Sequence, residues 1–492
     1  MGKVYLIGAG PGDVGLFTLK GNKILQKADV VVYDALVSDS ILALIPKTAK
    51  LINVGKRASH HTMAQGDINN VLLEKSKTNN IVVRLKGGDP FLFGRGGEEL
   101  ELLAQNGTEF EVVPGVTSSI AVPAYNGIPV THRDYCSSLH IITGHKKAGK
   151  NYDIDFEALV KTKGTLVFLM GVSALKDICD NLIANGMDKT MPAAILQQGT
   201  TSKQKRIVAT VATLYEETQK QGIETPAIIV VGKVCNLASK FEWYEKNKLF
   251  RHKFLVPRPK NLSSKLSAKL SDLGAEVLEI PTIETIATND NIVNETIENC
   301  EIFDWIVLTS PTAVGMFFDK LQEKSIDLRK LNKQKFAVVG SGTQKELAKK
   351  GIYADLVPSV FDGVHLAKAL CEKAVKGEKI LLPRAKKGRS EIVDILTNHG
   401  LLVNDLAMYD TVLCENIIFN SFKNIDYIFF TSSSTVENFM KSNIDIDLSK
   451  ITALCIGKQT QETAQNYGMK TFVSKQASID SLVELACELC GN

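Results

Sequence analysis

Short apolar runs recur along the whole chain, and most of them feed a glycine-bearing turn and then a helical pattern. In the first half these runs are VYLIGAG, VVVYD, IVVRLKGGD, HIITGH, TLVFLMG and AIIVVG. A repeated strand–turn–helix order builds sheets with helices packed on them, because a parallel strand pair needs a crossover between its members. The expected fold class is therefore α/β. A chain of 492 residues can hold two or more domains, each with its own core. The strongest break in the order is KFEWYEKNKLFRHK, residues 240–253, a charged and aromatic stretch between the strands AIIVVG and FLVPRP. It places a domain boundary near residue 248.

The second half repeats itself. Pro257-Arg258 aligns with Pro383-Arg384 and Gly274 with Gly400 at an offset of 126, Ser310 with Ser432 at 122, and Gly340 with Gly457 at 117. Drifting offsets mean that loop lengths differ between matching elements, so this half reads as two similar α/β lobes. Helix N-termini after TS, GSGT and GKQT offer free N–H groups beside the hydroxyls of Ser310, Thr343, Ser432 and Thr460. One such end is an ordinary helix cap; four in matching lobes point to a cleft for a polyanion.

Charge and composition narrow the function. A formal net charge of +4 is too mild to argue for nucleic acid and suits an anionic small substrate. No run approaches the roughly 18 apolar residues of a membrane span. The chain opens directly on a strand, so no signal peptide is expected. Nine cysteines without a spacing pattern suggest reduced thiols and a cytoplasmic location. Cys487 and Cys490 form a CxxC at the end of a helical pattern; with no second pair spaced to help, they read as helix residues and no metal is expected.

Two glycine-rich stretches carry the chemistry of the first half. In VYLIGAGPGDVG, Gly10, Gly12 and Gly15 have the spacing of a dinucleotide loop, and Asp34 follows where a ribose-binding acid would stand. Pro11 lies inside that loop and removes a backbone donor that a pyrophosphate would need. The match is one of spacing without mechanism, and a nicotinamide oxidoreductase stays open as a rival. The second stretch, IVVRLKGGDPFLFGRGGEE, spans residues 81–99. Gly87 and Gly88 allow close approach of backbone to a ligand. Asp89 precedes Pro90 and should be extended. Arg95 stands between glycines just before a helix. A ligand-binding connection explains this density of Gly, Asp and Arg better than a plain turn.

Together with VPGVTSS, GIPVTHR, GKR at 55–57, TGH at 143–145, TLVFLMG and TPAIIVVG, these pieces make the first half resemble the tetrapyrrole (precorrin) methylases, and among them the uroporphyrinogen-III C-methyltransferases. The resemblance covers residues 1–245 and implies a class III S-adenosylmethionine methyltransferase with lobes of about 1–114 and 115–245. Carried over by position, S-adenosylmethionine would touch Pro11, Gly87, Gly88, Asp89, Leu92, Thr117, Ser118, Met170, Gly199 and Ala227, leaving S-adenosylhomocysteine as product. The family often has Ala at the place of Ser118, which suits a backbone contact. Asp34 and Lys56 match positions with acid–base roles, and Arg95 and Arg133 match contacts to substrate carboxylates. The implied reaction transfers methyl groups to carbons 2 and 7 of uroporphyrinogen III, giving precorrin-2 for sirohaem or cobalamin. A homodimer through this half is implied as well.

In the second half LVPRP, DWIVLTSPTAV, AVVGSGT, ILLPRAKKGR, FFTSSSTVENF and IGKQTQETA resemble the uroporphyrinogen-III synthases over residues 250–492. The resemblance implies two α/β lobes joined by a two-stranded ladder. Lobe one would be about 250–285 with 411–492, and lobe two about 286–410. The implied activity closes hydroxymethylbilane to uroporphyrinogen III, with loss of water and inversion of the last pyrrole, and needs no cofactor. Tyr409 matches a tyrosine that would help the hydroxyl leave; it reads equally as a ladder aromatic. Arg258, Thr343, Ser432 and Thr460 are candidate substrate contacts. A tetrapyrrole-binding regulatory module without activity is the alternative for this half.

Overall fold

The structure, a computed structural model, describes residues 2–55, 63–144, 154–259, 265–288, 290–388, 390–413, 425–442 and 447–491. The chain divides into two compact units. The first holds residues 1–257, 264–280 and 417–492, the second 258–263 and 281–416.

The first unit opens with a parallel sheet of β1 (Lys3–Gly8), β2 (Val30–Tyr33), β3 (Lys50–Asn53), β4 (Ile81–Lys86) and β5 (Phe110–Val113) in the order β3-β2-β4-β1-β5. Its inner strands β1, β2 and β4 are mainly apolar without alternation, because both faces are covered. Val4, Leu6, Val30 and Val32 pack into one core, and Ile7, Val31 and Val83 into another. A second sheet follows from β6 (Leu139–Thr143), β7 (Thr165–Leu169), β8 (Pro192–Gln197), β9 (Lys205–Thr210) and β10 (Ala227–Val231), ordered β6-β7-β10-β8-β9. Here β10 runs antiparallel to both β7 and β8.

The stretch 240–250 is folded back onto this part. Tyr125 lies 5.0 Å from Trp243 and 4.8 Å from Tyr244, ring centre to ring centre, and the Trp243 indole N–H donates to Ala124 O at 3.0 Å. Arg206 pairs with Glu242 at 2.9 Å and Glu245 at 3.0 Å.

Two long strands come next: β11 (Lys253–Pro259), whose described core residues lie in the first unit, and β12 (Glu276–Ala287), which begins in the first unit and ends in the second. The second unit then contains β13 (Trp305–Leu308), β14 (Lys335–Val338), β15 (Lys379–Ala385) and β16 (Leu402–Leu413), in the order β14-β13-β15-β16-β12. All pairs are parallel except β12 and β16, which run antiparallel from Ile283↔Leu413 to Ala287↔Tyr409.

The chain completes the first unit with β17 (Tyr427–Phe430), β18 (Thr452–Cys455) and β19 (Lys470–Val473), all parallel, with β17 beside β11. Phe254 stacks between Tyr427 and Phe429, 5.3 Å from each. The final helix, Ile479–Cys490, puts Leu482, Ala486 and Cys490 into this core, with Cys487 packed at its edge. Burial pushes the Cys490 thiol up to about 11.

Candidate active sites

Three loops of the first unit converge just past the carboxyl ends of β1 and β4. Gly8 of β1 stands level with Lys86 of β4. Beyond them the Gly88 N–H donates to Gly10 O at 2.8 Å and the Gly10 N–H to Gly88 O at 3.2 Å. Gly115 closes in from the third loop. A Cβ there would lie 2.2 Å from Gly88 O and 2.7 Å from Gly8 Cα, so only glycine fits. Gly88 differs: its φ is +67°, and a Cβ on it would meet nothing within 4 Å. That face is open, which is the space a ligand against the backbone requires. Asp89 locks the arrangement. Its Oδ1 accepts from the N–H groups of Phe91 at 2.8 Å and Leu92 at 3.1 Å, and its Oδ2 from that of Gly115 at 3.0 Å. Thr117 caps the helix Ser118–Tyr125, its Oγ1 accepting from the Ser119 N–H at 3.3 Å.

The second sheet adds the loop after β8. The Asp13 N–H donates to Thr200 Oγ1 at 3.2 Å, and the Tyr125 hydroxyl to Asp13 Oδ2 at 2.7 Å. A Cβ at Gly12 would lie 2.9 Å from Thr201 Cγ2, and one at Gly199 would lie 2.3 Å from Val122 Cγ1. Backbone strain gathers here. Phe93, Arg95, Met170, Gln198 and Thr200 all have φ between +45° and +70°. Such conformations cost of order 1–3 kcal/mol each and concentrate at binding sites. Met170 directly follows β7 and is 53% exposed; continuing the β7–β10 register brings it level with Ala227. Leu36 and Phe91, 63% and 58% exposed, leave apolar surface on the loops around these glycines.

The structure thus brings together Pro11, Gly87, Gly88, Asp89, Leu92, Thr117, Ser118 and Gly199, with Met170 and Ala227 level at neighbouring strand ends. It gives Asp89 a job the sequence did not announce: both of its oxygens are spent on backbone N–H groups.

Asp34 sits at the end of β2, where its Oδ1 accepts from the Leu36 N–H at 3.1 Å. Its Oδ2 lies 3.6 Å from the guanidinium of Arg84. Arg84 is buried and donates to Glu99 Oε1 at 3.1 Å and Leu85 O at 3.1 Å. Lys86 donates to the same Glu99 oxygen at 2.8 Å. Burial, together with the charge of Arg84, pushes the Lys86 ammonium below its ordinary value, with Glu99 pulling the other way. Sequence reasoning passed over Arg84, Lys86 and Glu99. The available signal was two cations inside an otherwise apolar strand, which a buried strand holds only if a counter-charge reaches them. Arg95 lies at the helix start and makes a two-pronged pair with Glu98, at 2.9 and 2.6 Å. Arg133 is exposed in the loop before β6. Lys56 lies outside the described residues.

In the second unit the Tyr409 hydroxyl meets Ser310 Oγ at 3.1 Å. Tyr409 is 6% exposed, and Ser310 caps the helix Pro311–Glu323 by accepting from the Ala313 N–H at 3.0 Å. Thr343 is buried, because Gly340 takes the cap position and leaves Thr343 in the first turn facing the core. In the first unit Gly457 and Thr460 repeat that arrangement, while Ser432 caps its helix through the Thr435 N–H at 3.2 Å. Ser310 and Ser432 therefore present capping hydroxyls, whereas Thr343 and Thr460 point inward. The side chain of Arg258 lies outside the described residues.

Glycine loops gathered between two α/β lobes, followed by a twin-lobed α/β half, define a two-part enzyme of small-molecule metabolism. The chain belongs to the tetrapyrrole (corrin/porphyrin) methylases through residues 3–215 and to the uroporphyrinogen-III synthase HemD family through residues 264–484, as matches to both family models show. A porphyrin biosynthesis protein HemD of Ruminiclostridium josui is 47% identical over 498 residues, covering 100% of this chain and 98% of that protein. A uroporphyrinogen-III C-methyltransferase of Bacillus subtilis (strain 168) is 39% identical over 351 residues, 71% of this chain and 72% of that protein. Among solved structures, a uroporphyrin-III C-methyl transferase from Thermus thermophilus complexed with S-adenyl homocysteine is 38% identical. It covers 48% of this chain and 99% of that chain, with a TM-score of 0.42.

Proposed function

We propose that the chain is a bifunctional enzyme of tetrapyrrole synthesis, with a uroporphyrinogen-III C-methyltransferase in residues 1–245 and a uroporphyrinogen-III synthase in residues 250–492. The second half closes hydroxymethylbilane to uroporphyrinogen III, losing water and inverting the last pyrrole. The first half methylates that product at carbons 2 and 7 to give precorrin-2, on the way to sirohaem or cobalamin. The observation that carries the reading of the first half is the open face of Gly88 inside a ring of tightly packed glycine loops.

S-adenosylmethionine supplies the methyl group as a sulfonium electrophile. Pro11, Gly87, Gly88, Leu92, Thr117, Ser118, Met170, Gly199 and Ala227 are assigned to hold it, and Asp89 to shape the loop that does so. Methyl transfer depends on alignment more than on acid–base power, which suits a cradle built from backbone. Proton movements remain as the macrocycle rearranges; Asp34, oriented by Arg84, is assigned to accept a proton and Lys56 to give one. Arg95 and Arg133 are assigned to the substrate carboxylates, as cations that pair with carboxylate oxygens.

For the synthase, Tyr409 with Ser310 is assigned to the departing hydroxyl, and Arg258 and Ser432 to the side-chain carboxylates. A homodimer through the methylase half and a cytoplasmic location belong to the same reading; among the described residues no helix is long and apolar enough to cross a membrane. The test is incubation of the full chain with uroporphyrinogen III and isotopically labelled S-adenosylmethionine. Two labelled methyl groups per macrocycle are expected, and no label in the product would refute the assignment. Asp34→Ala should lower turnover by about 100-fold.

A further inference from the structure

A buried ionic cluster connects the second half of the sequence to the loop 198–204. Glu276, at the start of β12, accepts through Oε2 from the Ser202 N–H at 3.1 Å and from the Ser202 hydroxyl at 2.6 Å. Its Oε1 pairs with Lys253 of β11 at 3.0 Å, and Lys253 also pairs with Asp39 at 3.3 Å. Ser40 donates to Val277 O at 3.2 Å, and Ala43 packs against the core formed by Leu278, Ile280 and Ile428. Lys253 and Ser202 are both buried. Burial opposes ionisation of Glu276, but the Lys253 charge and the Ser202 donors outweigh it and hold the carboxyl below its ordinary value. Burial likewise opposes the charge on Lys253, and Glu276 with Asp39 holds it above its ordinary value. A charge-assisted bond to Ser202 is the result.

The loop that Glu276 grips is strained. Gln198 and Thr200 have φ of +45° and +70°, and conformations of that kind persist only where the surroundings over-determine them. Thr200 accepts from the Asp13 N–H at 3.2 Å, and its own N–H donates to Gln204 Oε1 at 3.0 Å. Gln204 in turn donates to Tyr125 O at 3.2 Å and to Glu245 Oε1 at 3.1 Å. A continuous path therefore runs from Lys253 through Glu276 and Ser202 to Thr200, Asp13 and the Gly12 turn.

We infer that Glu276, contributed by the synthase half, is a positioning residue for the methyl-donor site: it fixes the loop of Gly199 and Thr200, so that donor affinity depends on the fused second half. The inference rests on the assignment of Gly199 to the donor site. Loss of the carboxylate frees the loop and weakens donor binding without touching the groups that handle the macrocycle.

The test is calorimetric titration of S-adenosylhomocysteine into the full-length wild type, Glu276→Ala, Glu276→Gln, Ser202→Ala and the Ser202/Glu276 double alanine variant. Each single alanine variant should raise Kd about tenfold. Glu276→Gln, which keeps an acceptor for Ser202, should recover most of the affinity. The double variant should be no weaker than Glu276→Ala, because both changes break the same link. KM for S-adenosylmethionine should rise with kcat within about twofold, and closure of hydroxymethylbilane should be unaffected. Ser202→Ala removes one hydroxyl only and carries the test if Glu276→Ala does not fold. Unchanged Kd in the single variants, or strictly additive effects, would overturn the link. No binding by the wild type would overturn the donor-site assignment itself, and the link with it.

Discussion

The carboxylate of Asp89 reaches the backbone N–H of Gly115 at 3.0 Å and so ties the loop after β4 to the loop after β5. With its other oxygen on Phe91 and Leu92, the side chain is satisfied without any ligand. Asp89→Ala should therefore lower stability by about 1–3 kcal/mol, the cost of leaving loop donors unmatched, and weaken S-adenosylhomocysteine at least about tenfold. Thermal melting and calorimetry measure the two. Lost affinity with unchanged melting would make Asp89 a direct contact rather than a loop former.

Gly88 and Gly115 stand side by side but should respond differently to alanine. At Gly115 the added Cβ would sit 2.2 Å from a carbonyl oxygen that belongs to rigid backbone. Gly115→Ala should cost more than about 2 kcal/mol and soften the whole cradle. At Gly88 the methyl finds room but the backbone has φ of +67°, a penalty of about 1 kcal/mol for a side chain. Gly88→Ala should fold and lose donor affinity, because its methyl occupies the open face. Denaturant melts read against titrations separate the two variants; equal stability in both would contradict the geometry.

Tyr409→Phe keeps the ring in its buried place and removes only the bond to Ser310. Stability should change by about 1 kcal/mol or less. Synthase turnover should fall sharply, and methyl transfer to supplied uroporphyrinogen III should stay at the wild-type rate. Chromatography of the type I and type III isomers gives the readout. Full synthase activity would leave Tyr409 as a packing residue of the β12–β16 pair.

Glu276 has a folded value below its ordinary 4.5, and Lys253 one above its ordinary 10.5. The unfolded chain therefore binds more protons at Glu276 as pH drops, and stability from this carboxylate is present above 4.5 and lost as pH falls through the folded value. Stability from Lys253 is present below 10.5 and lost as pH rises through its folded value. The Tm gap between wild type and Glu276→Gln should be flat from about pH 6 to 9 and narrow on acidification below about 4.5. A gap that widens in acid would mean the carboxyl is not ionised in the folded protein.

Much of the fold was legible because its signals are local. β2 is a continuous apolar run, and β1 and β4 are mainly apolar, broken only by Lys3 in β1 and by Arg84 and Lys86 in β4; buried parallel strands need no alternation. The loops that gather at Gly10, Gly88 and Gly115 stood out in sequence through Pro11 and the Gly87-Gly88-Asp89-Pro90 turn, which set them apart from a dinucleotide fingerprint. What the sequence withheld depends on distant partners. Arg84 and Glu99 are neighbours only once a helix packs on β4. Ser202 and Glu276 are 74 residues apart, and no pattern in either segment announces the other. The stretch 240–250 reads as a break because it is charged, yet its aromatic rings find Tyr125 and its acids find Arg206. Thr343 and Thr460 look like capping hydroxyls in sequence. The glycines three residues before them take the caps, since glycine fits that position as well and leaves the threonine to the core.

On the proposed function, one chain makes uroporphyrinogen III and then methylates it. The direct measurement is a single incubation of the full-length protein with hydroxymethylbilane and S-adenosylmethionine under reducing, anaerobic conditions, followed by mass and isomer determination of the macrocycle. The expected outcome is a dimethylated type III product, precorrin-2, with two S-adenosylhomocysteine released for each macrocycle. Unmethylated type I uroporphyrinogen, the product of spontaneous closure, would contradict it.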